Sequence, residues 1–244
     1  MPYALFNRDD FITRTGLGPD MNVLTIGQDH VMALQITRCV ETTVTAIVAN
    51  TKEARSIRAF TPDSNQIITQ YAHQPIISDV FDVVFVYHTI NSIKAETVLK
   101  MFGEIRRILK DNSRFAVLHW SLEPKNKAQS SHLMLLKILE QVGIVQLHTF
   151  NMILEWLKEM EFENITMELV NSQIAVPENW VQLHIKRLYE IIAERLRNNI
   201  SLPADIEKNI ELYKAHVTDY GEELLPSIQF TARNSKGLSG IDII

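Results

Sequence analysis

Cysteine is nearly missing from this 244-residue chain: Cys39 is the only one, which excludes an intramolecular disulfide and any metal centre built on several thiolates. That usage fits a reducing compartment. No apolar run approaches the roughly 20 residues needed to cross a bilayer, and the opening stretch MPYALFNRDDFITR mixes charge into its apolar positions, unlike a signal peptide. The expectation is a soluble, cytoplasmic protein with no membrane partner. Positive charge is also in short supply: 24 Lys and Arg against 29 Asp and Glu leave a net charge of −5, which argues against a nucleic-acid backbone as partner. The densest basic stretches, Arg106, Arg107 and Lys110, then Lys186, Arg187, Arg195 and Arg197, fall on predicted helices and read as solvated faces. His30, His73, His132, His148, His184 and His216 are scattered, with no pair at metal-ligand spacing, so no metal site is expected. There is no internal repeat and no low-complexity tract.

What is present suits a globular core. Apolar residues make up 46% and charged residues 22%, close to the globular average, and the length allows one large domain over residues 1–244 with an insertion. Short apolar runs alternate with helical patterns, the mark of βαβ units. The predicted strands are Asn22 to Ile26, Thr43 to Val48, Gln66 to Thr69, Phe81 to Val86, Arg114 to His119, Asn164 to Leu169 and Leu225 to Ala232. Val98, Leu99, Phe102, Ile105 and Leu109 recur at helical spacing and predict an amphipathic helix over Ala95 to Leu109. Further helices are predicted through Leu133 to Val142, over Asn151 to Met160, from about Trp180 to Leu196 and from Pro203 to Val217. The tail Asn234 to Ile244 has no clear pattern. This order predicts an α/β, three-layer, doubly wound, Rossmann-like sheet of seven strands whose last strand is antiparallel, with a helical cap insertion over residues 171–222.

Three stretches carry a family resemblance. NVLTIGQDH resembles the first strand and nucleotide-binding turn of class I S-adenosylmethionine-dependent methyltransferases. SDVFDVVFVYHTINSI, a helix, and then EIRRILKDNSRFAVLHW resemble the family's FDVV strand, helix and R-x-LK-x-G-G phrase. The close, YGEELLPSIQFTARN, is similar to the end of many small-molecule members. The resemblance spans about residues 20 to 234 and implies S-adenosylmethionine as cofactor and a small molecule as substrate.

The cofactor signature itself is degenerate. Where the family has an acid and G-x-G-x-G, so that the backbone can turn and approach the ligand without Cβ atoms, Thr25 stands for the acid, Gly27 is kept, and Asp29 and Val31 replace the other glycines. Asp29 suits a helix N-terminus but competes there with a ligand carboxylate. The ribose acid at the end of the second strand falls on Val48 or Ala49, and Asn50 is the nearest polar substitute. The adenine acceptor falls on Tyr71, whose hydroxyl replaces the acid or whose ring fills the slot. The resemblance thus implies cofactor contacts at Gly27, Gln28, Asp29, Asn50, Tyr71, Ala72 and Tyr87.

Ligands in such sheets sit beyond the carboxyl ends of the strands, which brings forward His88 and His119 as candidate general base and orienting partner, His88 first. Trp120 and Trp180 are candidate substrate contacts. Trp180, Leu183, Leu188 and Ile191 form an apolar stripe suited to a lid, to a dimer or heteromeric contact, or to plain core packing. Three functions are compatible with these residues: methyl transfer through a degenerate site, a cyclisation, rearrangement or elimination on the same fold, and a non-catalytic partner role.

Overall fold

The computed structural model describes residues 8–27, 29–69, 71–170 and 174–236. Among them seven strands, β1 (Val23–Ile26), β2 (Thr45–Val48), β3 (Asn65–Ile68), β4 (Phe81–Tyr87), β5 (Leu109–Trp120), β6 (Glu163–Val170) and β7 (Ser227–Asn234), form one sheet in the order β3-β2-β1-β4-β5-β7-β6. The first five are parallel, and the last strand runs against them. Strand order reverses between β1 and β4, so the switch point, where such sheets hold ligands, lies there. The helices are α1 (Arg8–Thr15), α2 (His30–Thr37), α3 (Thr51–Phe60), α4 (Ala95–Ile108), α5 (Lys127–Gln141), α6 (Phe150–Glu159), α7 (Glu178–Arg197) and α8 (Ile206–Tyr220).

Parallel strands buried on both faces read as unbroken apolar runs. In β4, Val83, Phe85 and Tyr87 pack with Phe11 and Ile12 of α1 and with Met32 and Ile36 of α2. On the opposite face Phe115 of β5 meets Phe102 of α4 edge-on at 5.1 Å and Phe162 at 5.1 Å. Each such fully buried ring contributes roughly 2–3 kcal/mol. Helix α1 was not foreseen: its acidic start hides Phe11 and Ile12, which are 1% and 4% exposed.

Strand β5 begins five residues before the predicted Arg114, immediately after α4. Its register with β4 slips between Phe81 and Val83, and Asn112 takes φ 58°. Asn112 stands at the first glycine of the LK-x-G-G phrase, and asparagine is among the few residues that tolerate this left-handed conformation. The corner is tied from the far end of the chain. The amide of Asn234, 0% exposed, donates to the carbonyls of Arg106, Leu109 and Lys110 at 3.0–3.1 Å. The patternless tail therefore begins later than Asn234, and residues 237–244 lie outside the described residues.

The chain divides into two compact units. The first holds the residues up to His119, Asn151–Glu168 and those from Ile228 onward; the second holds Trp120–Phe150 and Leu169–Ser227. In the second unit α5, α7 and α8 share one core, in which Leu136, Ile210 and Tyr213 are fully buried. The face that α7 buries is Val181, Leu188 and Ile191. Leu183, placed in the expected stripe, is 57% exposed instead; three of four stripe positions allow the helix to rotate away from the fourth.

Candidate functional site

The site begins where β1 ends. Gly27 has φ 119° and its N–H donates to the Ile47 carbonyl of β2 at 3.0 Å. A Cβ there would lie 2.2 Å from the Thr89 hydroxyl. That hydroxyl donates to the Ile26 carbonyl at 2.8 Å. Glycine is thus required twice, by the backbone angle and by the side chain that closes over it. Thr89 escaped the sequence reading because nothing in its surroundings signals a partner 63 residues away.

Gln28 lies outside the described residues. Asp29 is the N-cap of α2, its Oδ1 accepting from Val31 N at 3.1 Å and Met32 N at 2.9 Å. An anion at a helix N-terminus satisfies donors that the helix itself cannot. Here the chain supplies that anion itself.

Val48 and Ala49, at the end of β2, carry no acid, and the carboxylate that reaches this point is that of Glu53. Asn50 caps α3, accepting from Glu53 N at 3.0 Å, while its amide donates to Glu53 Oε1 at 2.9 Å. Glu53 reaches back so that Oε2 accepts from Ala49 N at 2.9 Å. This reciprocal capping arrangement returns a half-buried carboxylate to the tip of the strand. Burial, then the charge of Glu53 and a hydrogen bond to it, push the Tyr71 pKa well above the ordinary tyrosine value. Ala72 is half-buried in the turn that follows Tyr71. Glu53 went unread, although the spacing Asn50-x-x-Glu53 is a capping signal that reveals where such a side chain points.

Tyr87 ends β4 at 5% exposure, its ring 6.0 Å from Phe11 and edge-on to His88 at 4.9 Å. His88 is half-buried at φ 49°, a conformation that costs a non-glycine residue about 1 kcal/mol or more. Its N–H donates to the Leu118 carbonyl at 2.9 Å, which sets it beside the tip of β5. His119, in β5, is 0% exposed. Of the two imidazoles, His88 is the one that solvent reaches.

Trp120 and Trp180 belong to the second unit. Trp120 is 6% exposed, its ring edge-on to His132 at 5.8 Å. Trp180 is half-buried near the start of α7. That unit also hides a charged cluster. The Glu222 carboxylate accepts from His132 Nδ1 at 2.8 Å and from the Tyr213 hydroxyl at 2.6 Å, with His184 Nδ1 at 3.5 Å. Burial alone would raise the Glu222 pKa, but the hydrogen bonds from His132, His184 and Tyr213 outweigh it and hold the carboxyl at about 2. Three helices separated in sequence converge here, a geometry that no local motif announces.

Elsewhere, a cavity of 460 Å³ is lined by Gly103, Arg106, Arg107, Glu161 and Lys236, away from the carboxyl ends of the strands. Its cations are engaged: Arg106 with Glu161 at 2.6 Å, Arg107 with Glu104 at 2.8 Å and Lys236 with Asp79. Among the described residues no group of three His, Cys, Asp or Glu is placed to hold a metal ion, and no helix is long and apolar enough to cross a membrane.

A doubly wound seven-stranded sheet with a reversed last strand is the Rossmann-like fold of class I methyltransferases. Residues 26–117 match the family model described as a methyltransferase domain. The fold of the chain is similar to that of the YcgJ protein from Bacillus subtilis, with a TM-score of 0.68 and 16% identity over 97% of this chain and 100% of that one. It is similar to phosphoethanolamine N-methyltransferase 2 of Haemonchus contortus in complex with S-adenosyl-L-methionine, with a TM-score of 0.61 and 16% identity over 94% of this chain and 52% of that one. The [4+2]-cyclase SpnF is a further likeness, with a TM-score of 0.58 and 16% identity over 93% of this chain and 79% of that one. No curated protein matches the sequence.

Proposed function

We propose that this protein binds S-adenosylmethionine in a remodelled site and transfers its methyl group to a small molecule. The observation that carries the reading is the Glu53 carboxylate at the tip of β2, one strand away from the Gly27 turn. The residues fit the group. Gly27 lets the backbone turn at the end of β1, Glu53 can accept from sugar hydroxyls, and the negative charges of Asp29 and Glu53 complement a sulfonium.

When bound, the cofactor supplies an electrophilic methyl group. The chain's own part is positioning, which can account for a large share of such a rate. His88 holds an imidazole at the β4 tip, where it can take the proton that an acceptor oxygen or nitrogen releases. His119 lies buried in the adjoining strand, out of reach of solvent.

Calorimetric titration tests this reading. Wild-type protein should bind S-adenosylmethionine and S-adenosylhomocysteine in the micromolar range, and Glu53→Gln should weaken both by about tenfold to a hundredfold, the value of a hydrogen bond to a charged group. No binding at millimolar ligand would refute it.

One observation favours a second reading, a methyltransferase fold that has given up methyl transfer for a cyclase- or isomerase-type reaction or a partner role. Asp29 already occupies the α2 amides and would meet a ligand carboxylate with like charge. The same titration separates the two, since only the first reading requires the cofactor.

A further inference from the structure

The switch point between β1 and β4 is held together by a side chain. The ladder between the two strands ends at the pair Ile26 and Val86. Past it the Thr89 hydroxyl takes over, 2.8 Å from the Ile26 carbonyl and 3.2 Å from the Tyr87 carbonyl. Thr89 is 7% exposed, and its own carbonyl accepts from the Ser92 N–H at 3.0 Å and the Ser92 hydroxyl at 2.8 Å. The ties on either side run through backbone: the Gly27 N–H donates to Ile47 of β2 and the His88 N–H to Leu118 of β5. One hydrogen-bonded line thus crosses the tips of β2, β1, β4 and β5, and Thr89 is its side-chain link.

His88 sits in that line at φ 49°. A strained angle persists only where its surroundings over-determine it. His88 is fixed to β5 by its own N–H and to β1 through the next residue, Thr89. We propose that Thr89 is a positioning residue of this site: its hydroxyl keeps the His88 backbone in the left-handed turn and so sets where the imidazole stands relative to a ligand beyond Gly27. This rests on the reading of the site as one that takes S-adenosylmethionine. Without the hydroxyl, His88 relaxes to an ordinary backbone angle, and the Gly27 turn loses the group that closes over it. Part of the population is then in a form that does not bind, and apparent affinity falls by that fraction. Thr89 itself need not touch the ligand.

The test compares Thr89→Ala with Thr89→Ser in the full chain, since the two variants differ only in the hydroxyl. Titrated calorimetrically, S-adenosylhomocysteine should bind Thr89→Ala about fivefold to tenfold more weakly than wild type, and Thr89→Ser within about twofold of it. The second readout needs no ligand: the Cα and Cβ chemical shifts of His88, which report its backbone angles. They should be left-handed in wild type and Thr89→Ser, and that signature should be lost in Thr89→Ala. A left-handed signature retained in Thr89→Ala, or lost in both variants, overturns the proposal. Thr89→Ala that binds S-adenosylhomocysteine as wild type does overturns it too, while leaving the cofactor reading intact. Failure of wild-type protein to bind S-adenosylhomocysteine overturns the cofactor reading, and the chemical shifts then decide the role of Thr89 alone. Thermal melting checks that Thr89→Ala is folded; if it is not, Thr89→Val, which keeps the side-chain volume and lacks the hydroxyl, takes its place.

Discussion

Replacing Glu222 by glutamine removes one charge from the interior of the helical unit and leaves the shape of the side chain unchanged. Holding the carboxyl at about 2, against an ordinary 4.5, corresponds to about 3 kcal/mol of stability at neutral pH. The figure needs no discount for solvent, since the Glu222 and His132 side chains are both 0% exposed. It agrees with the ~3–5 kcal/mol typical when one partner of a buried ion pair is removed. The sign follows from the direction of the shift. A depressed carboxyl pKa stabilises the fold above the unfolded value near 4.5 and ceases to do so as pH falls toward about 2. Urea unfolding followed by tryptophan fluorescence, with Trp120 edge-on to His132 as the reporter, should show Glu222→Gln less stable by about 3 kcal/mol at pH 7. The gap should narrow steadily from pH 4.5 downward. A gap that is absent at pH 7, or that keeps its size across the acid range, would mean that the cluster does not hold a charged carboxylate.

Three further substitutions test the first unit. Gly27→Ala forces a Cβ onto the Thr89 hydroxyl at φ 119° and should lower thermal stability by about 2 kcal/mol or more; a melting temperature equal to wild type would show that the turn relaxes freely. His88→Gly relieves the left-handed strain at φ 49° and should leave stability level or higher by up to about 1 kcal/mol, while any methyl transfer falls about a hundredfold or more; a clear drop in melting temperature contradicts the strain argument. Asp29→Ser keeps a capping oxygen for Val31 N and Met32 N but removes the charge. It should cost less than about 1 kcal/mol of stability and should strengthen S-adenosylhomocysteine binding if like-charge repulsion is what Asp29 contributes, which calorimetry reads directly.

The strands of the first unit were legible because a parallel sheet buried on both faces leaves little room for polar residues, and Phe81 to Val86 shows that constraint directly. Boundaries were less legible where tertiary contacts override local preference. β5 extends back to Leu109 because Asn112 can adopt the turn and because Asn234, from the end of the chain, satisfies the carbonyls of the corner. At the site, Gly27 and Asp29 were readable, since their roles depend on the next few residues. Glu53 is readable from its capping spacing, although it lies in the helix after the strand rather than at the strand's end. The Glu222 cluster was not readable at all: His132, His184 and Tyr213 come from three helices, and only their packing gives the carboxylate its partners.

The placement of Asn234 also bears on the order in which the protein can be completed. The corner between α4 and β5 leaves the ribosome early, yet the amide that ties its carbonyls belongs to the last strand, more than 120 residues later. All of the helical unit is synthesised in between. The unit begun first is therefore finished last, and a nascent chain halted before Ser227 would carry its full set of helices while the sheet still has an open gap between β5 and β6.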